Sequence, residues 1–197
     1  MSRHFADIAY TPSVRAEQVA RHGEDLSQGH GSPDPRLGPR EATFIAERDT
    51  AFLGTVNADG WPHVQHRGGP PGFLRVLDAY TLAFADLGGN RQFVSVGNLH
   101  DNDRAALMLL DAAHRRRLKI LGHMRVLEAP AVARGALPPD VPAAFLPALQ
   151  ALAHTPRAER VLLMRIAAFD WNCSQHITPR WSEQELAALG VSLPARP

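Results

Sequence analysis

The sequence AFLGTVNADGWPHVQH, residues 51 to 66, has the pattern of a β-hairpin. Its first part, Ala51 to Asn57, is rich in apolar and β-branched residues, which favour extended strands. Asp59 and Gly60 follow, and this dipeptide tolerates the positive φ of a tight turn. The segment WPHVQH then resumes an extended pattern. We therefore predict two antiparallel strands joined by a short turn.

Further strand patterns follow this hairpin along the chain. FLRVL from Phe73 and YTLAFA from Tyr80 predict a second hairpin, and QFVSV from Gln92 predicts the next strand. LKILGHMRVLE from Leu118 predicts a long strand, in which Gly122 marks a bend or a close backbone approach. The later segment VLLMRIAAFD predicts another strand. Hairpins in series indicate an antiparallel sheet.

Helical patterns are found at the start, in the middle and at the end of the chain. We predict helices at residues 13–21, 40–48, 101 or 102 to 110, 143–154 and 182–189. Many short strands with helices around them predict a mainly β protein, an antiparallel barrel with helical decorations. We divide it into an N-terminal arm and linker (1–39), a barrel with a helical insertion near 140–155 (40–181), and a C-terminal helix and tail (182–197).

The composition of the chain argues against several classes of function. The chain of 197 residues has 45% apolar residues and a formal net charge of +1, which offers no field strong enough to predict nucleic acid or an anionic membrane as a partner. Cys173 is the only cysteine, so a disulfide within the chain and a thiolate-rich zinc site are both excluded. No apolar run approaches the roughly 20 residues that span a bilayer. We expect a cytoplasmic protein without a metal site.

Two arginine-containing segments have the chemistry of a phosphate site. In HRGGPPGF (residues 66–73), His66 and Arg67 end a predicted strand, and Gly68 and Gly69 would let a ligand approach the backbone. The guanidinium of Arg67 could form two parallel hydrogen bonds to phosphate oxygens. A Gly-Pro turn with an exposed arginine would have the same sequence.

The second segment, GGNRQFVSVGNL (residues 88–99), repeats this combination. Arg91 and Gln92 follow a glycine turn, and Ser95 and Asn98 precede the helix predicted at residues 101–110. Amides and hydroxyls at a helix start, together with an arginine, form a local anion site. A plain turn followed by a helix cap is the alternative.

A third segment, FDWNCSQHITPRW (residues 169–181), is dense in polar and aromatic side chains. Trp171, Asn172 and His176 could supply stacking and hydrogen bonds around a flavin ring. A loop that closes the barrel around a packed tryptophan is the alternative. Nothing nearby in the sequence activates Cys173 as a nucleophile, and we assign no catalytic acid or base.

Taken in order, three segments resemble the FMN-binding domain of the pyridoxamine 5'-phosphate oxidase family. They are FIAERDTAFLGTVNADGWPHVQHRGGPPGF, TLAFADLGGNRQFVSVGNLHDNDRAALMLLD and RRRLKILGHMRVLE, which together cover about residues 40 to 130. FDWNCSQHITPRW resembles the closing segment of one branch of that family. The resemblance implies an FMN-binding split β-barrel that forms a homodimer, with FMN at the subunit interface.

The resemblance also implies roles for individual residues. It puts Arg67 at the FMN phosphate, and Arg91 and Gln92 where the family has its basic pair, with Ser95 and Asn98 as helpers. Arg117 occupies the position from which the partner chain reaches the flavin.

The sequence departs from the oxidase pattern at two points. It turns through Gly68-Gly69-Pro70-Pro71 where the oxidase continues an apolar strand that ends in lysine, and its His176 and Arg180 are spaced differently from the oxidase's substrate-binding pair. We therefore expect an FMN-dependent oxidoreductase acting on another small molecule, with NAD(P)H as the candidate donor. The alternatives are a non-catalytic flavin or haem binding or sensing protein and a deazaflavin-dependent reductase on the same barrel.

Overall fold

One antiparallel sheet organises the molecule. The structure, a computed structural model, describes residues 3–26, 31–171 and 175–191. Within them a seven-stranded sheet has the order β2-β1-β5-β6-β7-β4-β3. The strands are β1 (Thr50–Val56), β2 (Pro62–Gly68), β3 (Arg75–Asp78), β4 (Thr81–Leu87), β5 (Arg104–Asp111), β6 (Arg116–Glu128) and β7 (Ala158–Trp171). The predicted antiparallel split barrel is confirmed.

Both predicted hairpins form. β1 pairs with β2 from Thr50 opposite Gly68 to Val56 opposite Pro62. β3 pairs with β4, and β4 then pairs with β7 on its other side. Turn chemistry explains the first hairpin, because Gly60 adopts a φ of 86° in the loop.

The strands alternate between a buried and a solvent-facing side. In β5, Ala105, Leu107 and Leu109 point inward and are at most 7% exposed, while their neighbours are partly exposed. The inward side chains of the sheet form one apolar core with Phe44 and Ile45. A strand period of two residues is what allows one face to fill the barrel interior.

Helices pack around the sheet at several places. They are α1 (Arg3–Ala9), α2 (Pro12–His22), α3 (Pro39–Ala46), α4 (Val94–Asp101), α5 (Ala129–Ala133), α6 (Leu146–Ala153) and α7 (Glu183–Ala188), with a 3₁₀ turn at Ala143–Phe145 before α6. α5 and α6 form a second apolar cluster against Leu127, Val161 and Leu163. The predicted helical insertion therefore covers one barrel face, as expected. α7 begins with the predicted capping box at Ser182 and is followed by Gly190 at a φ of 76°.

Two neighbouring sequence predictions were wrong. Residues 94–101 form the helix α4, although QFVSV was predicted to be a strand, and residues 104–111 form the strand β5, although a helix was predicted through Leu110. The apolar residues at 105, 106, 109 and 110 fit a helical stripe, whereas those at 105, 107 and 109 fit a strand period. Pairing on both sides with β1 and β6 selects the strand.

Gly122 lies where two strands approach too closely for a side chain. The register between β6 and β7 shifts between Leu121 and Gly122, and a Cβ at Gly122 would collide with the backbone oxygen of Arg165. This close approach confirms the prediction made for that glycine.

A buried carboxylate holds the β5–β6 turn. One oxygen of Asp111 accepts a hydrogen bond from Arg116 Nη2 at 2.6 Å, and the other accepts one from the backbone N–H of His114 at 3.0 Å. Arg48 Nη1 lies 3.6 Å away and links α3 to the turn. Burial alone would raise the pKa of Asp111, but these hydrogen bonds outweigh it and lower the pKa below its ordinary value.

We predict that Asp111→Asn lowers the free energy of unfolding at neutral pH by about 1–3 kcal/mol, because Arg116 and Arg48 lose their charged acceptor. A carboxyl group with a lowered native pKa stabilises the fold above its unfolded pKa of about 4 and loses this effect as pH falls through the native value. The difference between variant and parent should therefore shrink in acid. Urea denaturation of the variant and the parent at neutral and acidic pH measures this difference in the free energy of unfolding.

The matched control is Asp140→Asn, which removes a carboxylate from a fully solvent-exposed pair with Arg125 and should change stability little. Equal loss in both variants would contradict a specific role for Asp111.

Candidate functional site

Charged side chains connect the edge strand β2 to β4, which lies next to the opposite edge strand β3. Arg67 lies near the end of the edge strand β2, and Asp86 lies near the end of β4, which is not a neighbour of β2 in the sheet. Arg67 Nη2 and Asp86 Oδ1 are 3.6 Å apart. Arg160 of β7 approaches the other oxygen of Asp86 at 3.5 Å. The split of the barrel is therefore bridged by one carboxylate between two guanidinium groups.

This network is largely removed from water. The side chains of Arg67 and Asp86 are only 15% and 10% exposed. Burial lowers the pKa of Arg67, and burial raises the pKa of Asp86 despite the opposing effect of both arginines. Arginine nevertheless keeps its proton because its ordinary pKa is far above neutrality. Cations held in such surroundings interact strongly with any anion that reaches them.

A small cavity opens beside this network. It has a volume of about 60 Å³ and contains Arg67, Arg91 and Ser95 together with Asp86 and Arg160. The cavity is lined by these three arginines and by the carboxylates of Asp86 and Glu159, so its formal charge is positive. The cavity is far smaller than the roughly 300 Å³ of the smallest typical ligand pockets. It suits an anionic group such as a phosphate and leaves no room for a flavin ring.

One atom of Arg67, which lines the cavity, has an unmet hydrogen-bonding capacity. Arg67 Nε is buried and donates no hydrogen bond within the described part of the chain. A buried N–H of a charged group without an acceptor is costly, by about 1–3 kcal/mol or more. A phosphate oxygen would supply the missing acceptor, so the residues present fit a phosphorylated cofactor.

The loop that brings Arg91 to the cavity is strained. Arg91 and Phe93 have φ angles of 59° and 53°, a region that non-glycine residues rarely adopt. The guanidinium carbon of Arg160 lies over the Phe93 ring, 4.9 Å from the ring centroid. Arg91 is exposed and forms no ion pair among the described residues. Its charge is therefore free for a ligand.

The other predicted residues of this segment differ in position. Ser95 lines the cavity and its Oγ donates a hydrogen bond to Gln65 at 3.2 Å. Asn98 is buried inside α4 and donates to Thr55 Oγ1 at 3.0 Å, away from the cavity. Gln92 is exposed, and its side chain accepts from Asn90. Ser95 and Asn98 lie within a helix, so the helix start expected after them is not there.

Gly68 and Gly69, which we expected to admit a ligand, have a packing role within the protein. A Cβ on Gly68 would lie 2.8 Å from the His66 ring, and one on Gly69 would lie 2.7 Å from Cβ of Phe73. Both glycines thus allow the loop after β2 to pack against the protein itself. His66 points to the opposite face of β2 from Arg67, where its ring meets the edge of Phe52 at 5.9 Å.

Trp171 and His176, the described residues of the C-terminal group, do not line the cavity. Trp171 packs edge-on against Phe44 at 4.7 Å, and its indole N–H donates to Glu41 at 2.8 Å. His176 is exposed, with a φ of 62°. Asn172 and Cys173 lie outside the described residues. Trp171 therefore packs between α3 and β7, in agreement with the alternative of a packed tryptophan.

Arg117 lies on the outer face of β6, remote from the cavity lining. It is opposite Leu110 in the sheet, and its Nε is buried without a hydrogen-bond acceptor in the described residues. It is thus the second arginine in this structure with an unmet donor.

Sequence reasoning missed Asp86 and Arg160. Each lies at the end of an apolar strand, and their Cα atoms are direct partners across β4 and β7. A charged residue in an otherwise buried strand was the available signal, since such residues are seldom buried without a partner. No group of three or more metal-ligating side chains is present in the described ranges. No helix there is long and apolar enough to span a bilayer.

Comparison with known proteins gives one family and several distant structures. A family model described as pyridoxamine 5'-phosphate oxidase matches residues 37–169. No curated protein matches the sequence significantly. A Lactobacillus delbrueckii protein classed as a pyridoxamine 5'-phosphate oxidase is 19% identical, with a TM-score of 0.50 over 70% of this chain and 95% of that one.

Two further structures are similar at lower scores. HupZ of Group A Streptococcus is 13% identical, with a TM-score of 0.49 over 74% of this chain and 100% of its own. HutZ, the haem storage protein of Vibrio cholerae, is 19% identical, with a TM-score of 0.37 over 66% and 89%. At these identities the likeness concerns the fold alone.

The position of Asp86 generates a prediction about anion binding. In Asp86→Asn, the arginines at the cavity lose a competing carboxylate while the side-chain shape is kept. We expect inorganic phosphate to bind about tenfold more tightly, a gain of roughly 1.4 kcal/mol. Isothermal titration calorimetry measures this.

The control is Asp59→Asn in the exposed β1–β2 turn, which changes the net charge equally and should leave phosphate binding unaltered. Weaker or unchanged binding in Asp86→Asn would contradict the arrangement.

Proposed function

Because the chain belongs to the pyridoxamine 5'-phosphate oxidase family, we propose that it binds FMN and acts as an FMN-dependent oxidoreductase. The observation that carries the proposal is the cationic cavity at the barrel split, where buried Arg67 has a donor without an acceptor and Arg91 has a free charge. An FMN phosphate supplies the oxygen atoms that both groups require.

Each residue of the cavity has a distinct task in this proposal. Arg67 donates from Nε to the phosphate, while its Nη2 keeps its contact with Asp86. Arg91 neutralises the second phosphate charge from the rim. Arg160, engaged by Asp86 and Glu159, contributes positive potential without changing partners. Ser95 offers its hydroxyl at the cavity wall.

The flavin supplies the redox chemistry, which is hydride exchange at N5 of its isoalloxazine ring. The protein's own contribution is to hold the phosphate and to orient the molecule. The cavity accommodates only the phosphate end, so the ring requires additional surface outside it. We propose that a second subunit provides this surface and that its Arg117 faces the ring.

An uncovered outer face supports the homodimer. The registers place Val64, Gly54, Ala106 and Leu121 in one row across β2, β1, β5 and β6, and they place Phe52 beside Met108 in the next row. Val64 is 67% exposed, and Trp61, directly before β2, is 74% exposed. An apolar surface of this kind is typical of a contact between subunits. Arg117 lies on this face.

The visible spectrum of freshly purified protein tests the cofactor. We expect a yellow protein with flavin absorption, and mass analysis of the molecule released by heat should identify FMN. A haem spectrum or a deazaflavin mass would replace this proposal with one of its alternatives. Bleaching of the bound flavin by NADH or NADPH separates an oxidoreductase from a flavin-binding protein.

Arginine variants test the phosphate site. Arg67→Ala and Arg91→Ala should each weaken FMN binding by about 1.5–3 kcal/mol, because each removes a charge-assisted contact. Fluorescence titration of apoprotein with FMN gives the affinities. Arg134→Ala, at an exposed arginine at the end of α5 and outside the cavity, is the matched control. Arg91 forms no internal ion pair, so its variant should fold normally; undiminished affinity in both variants would refute the two roles.

The homodimer yields a separate prediction. Val64→Glu places a charge in the proposed interface and should shift the protein to monomers, with loss of FMN affinity, because burying an unpaired carboxylate is strongly unfavourable. Light scattering after size-exclusion chromatography reports the mass. Val19→Glu, at an exposed position of α2, is the control and should leave the mass unchanged. A parent protein that is monomeric with FMN bound would contradict the interface.

A further inference from the structure

A second cavity lies on the other side of α4, in the angle between β6, β7 and the helical insertion. Its volume is about 530 Å³, within the range of roughly 300–1,000 Å³ typical of small-molecule sites. It shares no lining residue with the cationic cavity at the barrel split. Whatever it binds is therefore independent of the FMN phosphate.

The cavity has an apolar floor. Leu163 and Val141 are each 8% exposed and belong to the cluster under the insertion, while Met124 is 2% exposed and belongs to the barrel core. Phe145 and Val126 continue this surface at its edge. The floor would hold an aromatic or branched apolar group by burying its surface.

The acidic groups of the rim are already engaged. Asp140 pairs with Arg125 at 2.7 Å, and Asp103 contacts His123 Nδ1 at 3.0 Å. The third, Asp78, accepts a hydrogen bond from the backbone N–H of Tyr80 at 2.8 Å. None of these carboxylates lies within ion-pair distance of Arg165.

Arg165 is the rim cation left without a counterion. It lies in one row with Thr81 and His123 across three strands. It follows the floor residue Leu163 by two positions in β7, on the same face. Its guanidinium makes no ion pair or hydrogen bond within the described residues. The cavity thus places one unpaired positive charge beside an apolar surface.

We propose that this cavity binds a small organic monocarboxylate with an apolar body. The carboxylate would form a paired hydrogen bond with the Arg165 guanidinium, and the apolar body would lie on Leu163 and Val141. The lining disfavours a ligand with two negative charges, since Asp78, Asp103 and Asp140 outnumber its two guanidinium groups, those of Arg125 and Arg165. Inorganic phosphate should therefore bind poorly here.

The test compares charge and shape in matched probes by calorimetric titration of the full chain. Phenylpropionate should bind at least about tenfold more tightly than its neutral isostere phenylpropionamide, a difference of about 1.4 kcal/mol. Arg165→Met should abolish this preference, and Arg165→Lys should retain part of it because the charge remains. Arg134→Met, at an exposed arginine at the end of α5 and outside the cavity, should leave the preference intact.

The result is separable from the FMN proposal. Arg165→Met should keep the FMN affinity of the parent, and Arg91→Ala should keep the preference for phenylpropionate. The side chain of Arg165 is exposed, so circular dichroism should show both Arg165 variants folded. Equal binding of the acid and its amide, no binding of phenylpropionate, or an unaltered preference in Arg165→Met would each overturn the proposal.

Discussion

The carboxylate of Asp86 connects the edge strand β2 to β4, the neighbour of the opposite edge strand β3. β2 and β4 are not paired in the sheet, so side chains must hold the barrel together there. Asp86 lies 3.6 Å from Arg67 of β2 and 3.5 Å from Arg160 of β7. Breaking such a buried pair leaves an uncompensated charge in a poorly solvated place, which is strongly destabilising.

The same interaction prepares the molecule for an anion. Two buried cations share one carboxylate, and Arg91 adds a third positive charge at the rim. The protein therefore keeps an excess of positive charge in a cavity of phosphate size, although its net charge is close to zero. Preorganised cations of this kind lose little freedom when a ligand arrives, because barrel closure has already ordered them.

The two faces of the sheet serve different purposes. Its inner face makes the core, and the outer face of β4 and β7 is covered by α5 and α6. The outer face of β2, β1 and β5 carries apolar side chains with substantial exposure, and this is the face proposed for the second subunit. Where the insertion stops covering β6 and β7, the large cavity with Arg165 remains. One sheet thus provides two candidate sites and an interface.

Local sequence was sufficient for the hairpins and for the capped helices. The Asp59-Gly60 turn between two extended segments determined the β1–β2 pair, and Ser182 with Glu185 determined the start of α7, because turn and cap chemistry act over a few residues. The arginines at 67 and 91 were likewise visible beside their glycine turns, and the structure brings them to one cavity. For residues 94–111 the local pattern misled, since the apolar positions suited both a helix and a strand.

Only the tertiary structure decided which side chains contact one another. Arg67 and Asp86 are far apart in sequence and meet because the barrel curls until its ends face each other. Arg160 joins them through the pairing of β4 with β7, and Trp171 is withdrawn into the packing of α3. Sequence by itself determined which chemical groups were available and which short segments were strands. Their distances, burial and unmet hydrogen bonds depend on contacts between distant segments, which no local pattern encodes.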